Sequence, residues 1–314
     1  MTASTTLPIS AAGARRRRPS RLRRAILDWY DARGRSLPFR GTRDAWAVLV
    51  SEVMAQQTPV GRVGPAWEAF LGRFPTPAAL ADATTADALR AWAGLGYNRR
   101  AVSLRRAATL IVERHAGRVP DDLAALEALP GVGPYTARAV LAIAFGRRVG
   151  PVDVNVRRVL SRLARATATS PPPSRLQSMA DELVPAARAA DWTHALMDLG
   201  ATLCGPAAPR CGECPARPSC LFGRSARRRP PTGAGRRGEN GIPFEMTRRW
   251  LRGRIVRRLS EAPDGEWTVF DTPIGSHDDV AVAAAMRALS VEGLVEIDGD
   301  GRRARLPSSV AAAG

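Results

Sequence analysis

Residues 125–144 read ALEALPGVGPYTARAVLAIA, and this stretch decides the fold. An apolar run at helical spacing leads into Leu129-Pro130-Gly131-Val132-Gly133, and Pro134 opens a second such run. Proline suits the first turn of a helix and glycine permits a tight turn, so the segment predicts helix, hairpin, helix. The peptide N–H groups of Gly131, Val132 and Gly133 then precede a helix N-terminus, where an anion such as a DNA phosphate is favoured. Any packed pair of helices can carry glycines in its turn. The hairpin therefore points to a DNA backbone without naming a reaction.

Outward from the hairpin, the pattern from Leu22 to about Pro218 is helical, as in AWAVLVSEVMAQQ, AVSLRRAATLIVERH and VNVRRVLSRLARA. The fold class expected is mainly α. Residues 1–21, with Arg15 to Arg18 before Pro19, read as a disordered basic arm, and residues 223–243 as a Pro/Gly/Arg linker. Beyond it, residues 244–308 carry helical FEMTRRWLRGRIVRRLSEA and DDVAVAAAMRALSVEG, then LVEID and RRARLP around Gly299–Gly301. Helices ending in a glycine-tipped hairpin suggest a small winged-helix-like module. In SHDDVAVAAAM, Ser276 is the expected helix cap.

The 314 residues include 47 basic ones, all arginine, against 29 acidic ones, for a net charge of +18. That balance favours a polyanionic partner. Without lysine, the chain has no side-chain amine for a Schiff base or for a phosphate-binding Walker loop. No apolar run approaches the roughly 18–20 residues of a membrane span. The arginines follow the mildly apolar start instead of preceding it, the wrong order for a secretory signal, so a cytoplasmic protein is expected.

The four cysteines, Cys204, Cys211, Cys214 and Cys220, are spaced C-x6-C-x2-C-x5-C. Disulfide frameworks spread their cysteines through small secreted domains, so this crowding points to one four-thiolate centre, zinc or [4Fe–4S]. Zinc ribbons usually take two C-x2-C pairs, and only one is present. Two carboxylates stand out. Glu52 lies on an apolar helix, where an unpaired carboxyl is desolvated and suited to donate a proton. Asp153, in VGPVDVNVRRVL, precedes a helix and fits a plain N-cap as well as a functional anion.

Glu52 in SEVMAQQT, Tyr97 in GLGYNRRA, the LPGVGPYTA hairpin, Asp153 in VDVNVRRVL and the cysteine run occur in that order. Together, across roughly residues 22–222, they resemble the helix-hairpin-helix DNA glycosylases related to endonuclease III, and among them the MutY-type adenine glycosylases. The resemblance implies a six-helix domain over about residues 46–140 and a cluster domain from residues 22–45 and 141–222. The four cysteines would hold a [4Fe–4S] cluster, and double-stranded DNA with a flipped base would occupy the cleft.

The reaction implied is hydrolysis of the glycosidic bond of adenine mispaired with 8-oxoguanine or guanine, in base excision repair by a monomeric, nucleoid-associated enzyme. Glu52 would protonate adenine N7, Asp153 would stabilise the positive sugar, and Tyr135 and Asn155 would orient the two acids. Arg35, Leu37, Phe39 and Arg40 match the adenine pocket, with Phe39 where tryptophan is usual. Gln57, Thr58, Leu95 and Tyr97 match residues around the mispair, Tyr97 as a wedge. Tyr135 stands where glycosylase/lyases carry lysine, which implies no lyase step.

Three features depart from the family. Asn98 replaces a tyrosine, and Arg138 replaces a glycine with no evident compensation. Residues 244–308 are too few for the Nudix-like domain of typical members and lack its strand-rich pattern, and a short arginine-rich module around Trp250 is expected there instead. His115, His194 and His277 read as surface or cap residues, given cysteine-only ligation. Two other readings compete: a thymine or uracil mismatch glycosylase of the same superfamily, and a non-catalytic iron–sulfur DNA-binding regulator.

Overall fold

A computed structural model describes residues 11–165, 170–225 and 242–308, with side chains from Pro19 onward. Helices α1 (Ala11–Arg33), α2 (Ala45–Ala55), α3 (Val60–Arg73), α4 (Pro77–Ala81), α5 (Thr85–Ala91), α6 (Arg99–His115), α7 (Leu123–Glu127) and α8 (Pro134–Ile143) come first. They are followed by α9 (Val154–Ala164), α10 (Pro173–Leu183), α11 (Ala189–Asp198) and the short α12 (Leu221–Arg224). The C-terminal module has α13 (Arg248–Glu261), β1 (Thr268–Val269), α14 (Asp279–Val291), β2 (Glu296–Ile297) and β3 (Arg303–Arg305). The chain forms two compact units, Met1–Ser36 with Arg138–Gly235, and Leu37–Ala137 with Arg236–Gly314.

The first unit packs α1, α9, α10 and α11 around Ile26, Val159, Leu160, Trp192 and Ala195, with three of the cysteines against the same core. In the second unit Phe70 meets Trp92 and Phe74 edge-on, and Trp46 and Trp67 anchor their indole N–H groups on Phe74 O and Ala47 O. Local chemistry sets the helix starts. Asp44 accepts the Ala47 N–H at the head of α2, and Thr84 and Asp87 form a reciprocal capping box at α5. That box divides the segment between α3 and α6 into two short helices. The described chain from Ala45 to Ile143 therefore has seven helices where six were expected.

The C-terminal module has the sheet order β1-β3-β2, antiparallel throughout, with the expected hairpin turning at Gly301, φ +69°. The module packs on α5 inside the second unit. Arg90 reaches Asp264 and the Ala262 carbonyl, and the Ala86 N–H donates to Pro307 O at 3.0 Å.

Several expectations need correction. The arm expected over residues 1–21 is already helical from Ala11, since arginine is a good helix former; residues 1–10 lie outside the described residues. The linker expected over 223–243 begins after α12, and residues 226–241 of it also lie outside them. The cap of α14 is Asp278, which accepts the Ala281 N–H at 2.8 Å, and not Ser276. His194 is buried in the first unit beside Tyr30, not on the surface, because α11 turns that face to the core. His277 hydrogen-bonds Glu245 O and stacks on Trp250.

Candidate active site and metal centre

In the second unit Glu52 sits near the end of α2, where residues 46–54 are all buried and its own exposure is 9%. Gln56 ties this helix end to the hairpin, its amide donating to Gly131 O and Thr136 Oγ1, both at 3.2 Å. Gly131 turns at φ +80°, and a Cβ there would lie 2.9 Å from Ser103 Cβ, so the glycine is required twice over. The Val132 N–H closes the turn onto Leu129 O, which removes it from the expected phosphate-binding trio. Gly131 and Gly133 remain exposed, with no backbone acceptor for their N–H groups among the described residues. Tyr135 lies half-buried in the first turn of α8.

Arg100, which carried no assignment from sequence, organises the neighbouring loop. One guanidinium nitrogen donates to Val53 O, Met54 O and Gln56 O at 2.6–2.9 Å. The other reaches Thr58 Oγ1 and Gly96 O. Val53 O and Met54 O belong to the last turn of the Glu52 helix, and Gln56 O follows directly after it. Burial pulls the Arg100 pKa down to about 10, and the neighbouring Arg249 pulls the same way. Gln57 is exposed at φ +55°, Leu95 is buried, and Tyr97 is 37% exposed at φ +48°. Leu37 and Arg40 bracket a short 3₁₀ turn, with Phe39 edge-on to Trp67 at 6.3 Å.

In the first unit Asp153 caps α9, its Oδ1 accepting the Val156 N–H at 2.6 Å and its Oδ2 the Asn155 side-chain amide at 3.1 Å. Asn155 in turn accepts from Arg158, whose other donors hold Gly200 O and Cys204 O at 2.7 and 2.6 Å. One turn on, Arg162 gathers Gly205 O, Pro206 O and the Cys204 Sγ, the last at 3.2 Å. An i, i+4 arginine pair thus fastens the first cysteine loop to the helix that Asp153 caps. Gly200 faces Asn155 so closely that a Cβ would stand 2.7 Å from Asn155 Cβ.

Arg138 has a clear partner. It pairs with Asp181 at 2.9 Å, and the same carboxylate oxygen accepts the Gly150 N–H at 2.7 Å, three residues before Asp153. Arg35 is anchored through its backbone N–H and its Nε to Asp198, a carboxylate with 0% exposure. Sequence reasoning missed Asp198 and Asp181, whose arginine partners lie more than 40 residues away.

The four cysteines are all free thiols and partly exposed. Burial, with repulsion from Cys204, Cys220 and Cys211, pushes the Cys214 thiol up to about 11. Burial likewise raises Cys220, whose sulfur accepts the Gly223 N–H at 3.3 Å. Among the described residues no three His, Cys, Asp or Glu side chains stand close enough to hold a metal ion. Four cysteine thiols on one loop are a donor set that zinc and an iron–sulfur cluster both accept.

Residues 50–186 match the family of HhH-GPD superfamily base excision DNA repair proteins. The chain is 41% identical to the adenine DNA glycosylase of Mycobacterium tuberculosis over 288 residues, covering 88% of this chain and 93% of that one. The Mycolicibacterium smegmatis enzyme of the same name is 41% identical over 279 residues, with the same coverage. Such coverage requires the likeness to run past the linker into the C-terminal module. The human adenine DNA glycosylase is 41% identical over 211 residues, 63% of this chain and 38% of its own. A thermostable thymine-DNA glycosylase superposes with a TM-score of 0.62 at 28% identity, over 67% of this chain and 98% of that one. Endonuclease III trapped on DNA shares the fold at a TM-score of 0.55 and 21% identity, over 65% and 96% of the respective chains. The hairpin, the two acids and the cysteine run thus sit in a chain that belongs to the adenine DNA glycosylases of the helix-hairpin-helix base excision repair superfamily.

Proposed function

We propose that the protein is a monofunctional, monomeric glycosylase that releases adenine opposite 8-oxoguanine or guanine in double-stranded DNA of the cytoplasmic nucleoid. The observation that carries this reading is 41% identity to adenine DNA glycosylases over nearly the whole of their length. Tyr135 at the hairpin, in a chain with no lysine, supports hydrolysis without strand cleavage. Glu52, buried on α2, is the proton donor. Protonation of adenine N7 lets the base depart neutral as the bond from C1′ to N9 breaks. Asp153, with both carboxylate oxygens accepting N–H groups, is the anion that stabilises the positive sugar. Water then adds its oxygen to C1′, the proton it loses makes good the one Glu52 gave to the base, and the phosphodiester chain stays intact. Asn155 positions Asp153 directly, and Tyr135 supports Glu52. Gln57, Thr58, Leu95 and Tyr97 surround the mispair, and Arg35, Leu37, Phe39 and Arg40 line the adenine pocket.

Cys204, Cys211, Cys214 and Cys220 would hold a [4Fe–4S] cluster, which when bound cross-links a loop with little regular structure of its own. Arg162 and the Gly223 N–H are placed to neutralise thiolate charge. The likeness to a thymine-DNA glycosylase supports a second reading, thymine excision from T·G pairs. A single-turnover panel on A·8-oxoG, A·G, T·G and U·G duplexes, with and without alkali, separates them. Adenine release with nicking only after alkali is the expected result. Thymine release, or strand cleavage without alkali, overturns the reading.

A further inference from the structure

The C-terminal module brings α13 to Tyr97. A cavity of about 1450 Å³ lies there within the second unit, bounded by the loop around Tyr97, by Gly131 of the hairpin and by α13. Its lining counts eight arginines against two glutamates, with Tyr97, Phe244 and Trp250 as aromatic faces. Cationic walls interleaved with aromatic faces suit an unstacked nucleotide.

Most of that charge is engaged within the protein. Arg252 forms a two-pronged pair with Glu292 at 2.9 and 2.7 Å, Arg257 pairs with Glu261, and Arg90 pairs with Asp264. Arg249 pairs with no carboxylate among the described residues. Its guanidinium lies 3.9 Å from the centroid of the Tyr97 ring and 5.7 Å from that of Phe244. A guanidinium stacked on a ring keeps its in-plane N–H edge available for a planar acceptor.

The support is rigid on both sides. Thr247 caps α13 through the Trp250 N–H and donates to Phe244 O, and Trp250 stacks on His277. Tyr97 is held at positive φ with the Arg100 guanidinium 5.6 Å from its ring. On its major-groove edge guanine offers the acceptors O6 and N7, its 8-oxo form offers O6 and O8 on either side of an N7–H, and cytosine offers an amino donor and no acceptor. A forked guanidinium discriminates on that difference.

We propose that Arg249, stacked on Tyr97, is a specificity-determining contact that takes the acceptor edge of the purine facing the excised adenine. The inference rests on the adenine-excision reading above. The test uses the full-length, cluster-loaded protein in single-turnover excision from A·8-oxoG, A·G and A·C duplexes, with binding to an undamaged duplex measured alongside. Arg249→Ala is expected to slow A·8-oxoG and A·G excision about tenfold or more relative to A·C. Arg249→Lys, which keeps the charge and loses the fork, is expected not to restore the preference. Arg248→Ala, which removes the same charge next door, is expected to shift all duplexes together. Equal losses on every duplex for Arg249→Ala, no loss at all, or full rescue by lysine would overturn the inference. A wild-type protein that releases adenine from none of the duplexes sinks the functional reading itself. A wild type that excises adenine, with selectivity unchanged in Arg249→Ala, sinks only the role of Arg249.

Discussion

Glu52 and Asp153 are both carboxylates, and they stand at different places on their helices in the two units. Glu52 is placed by burial, on a helix whose neighbouring residues are all inside and whose carbonyl end Arg100 collects. Asp153 is placed by hydrogen bonds, at a helix start with N–H donors on each carboxylate oxygen. A buried helix interior and a hydrogen-bonded helix start are different settings for the same carboxylate group. The contrast teaches that the same group meets a different environment according to what its helix offers, an apolar interior or a polar end.

The sharpest way to break that comparison is to neutralise each acid in turn. Glu52→Gln and Asp153→Asn should each lower single-turnover adenine release by about 10²–10⁴-fold, with mismatch binding retained. Asparagine still accepts at the helix start, so Asp153→Asn should keep folding stability within about 1 kcal/mol of wild type. An Asp153→Asn protein of full activity would reduce Asp153 to a cap.

Next in size is the centre that α9 fastens. Cys214→Ser should abolish bound iron and sulfide and lower stability by about 2–5 kcal/mol, read from metal analysis and urea unfolding. One zinc per wild-type chain, with no sulfide, would contradict the cluster. Arg100→Ala should follow, at about 2–4 kcal/mol, because several carbonyls at the end of α2 lose their donor together. A change below half a kcal/mol would show that water replaces the guanidinium. The smallest effect belongs to Arg138→Ala, about 0.5–1 kcal/mol, since its ion pair with Asp181 is partly open to solvent. A loss of activity far beyond that change would mean that Asp181 sets the approach to Asp153 through Gly150.

What could be read from the chain was local. The hairpin announced itself because Pro134 and Gly131 act on their own backbone, and the cysteine run because its four members crowd one short segment. Asp153 as a cap followed from the residues beside it. The cap of α14 was misplaced because Ser276, Asp278 and Asp279 are all competent caps within four residues, and tertiary position chose among them. The strand Thr268–Val269 escaped notice because a two-residue strand has no periodicity and exists only through β3, more than 30 residues on.

The arginines mark the boundary most clearly. Arg100, Arg158 and Arg162 act on carbonyls and a sulfur delivered by distant segments, and Arg249 acts on a ring supplied by another element. In a chain with 47 arginines, residue type alone could not single them out. Sequence by itself determined the helical class, the hairpin and the helix start at Asp153, because each rests on spacing or on a residue's effect on its own backbone. Only the tertiary structure decided which guanidiniums matter and what the C-terminal module faces, because a long, many-donor side chain takes its role from the acceptors that folding brings to it.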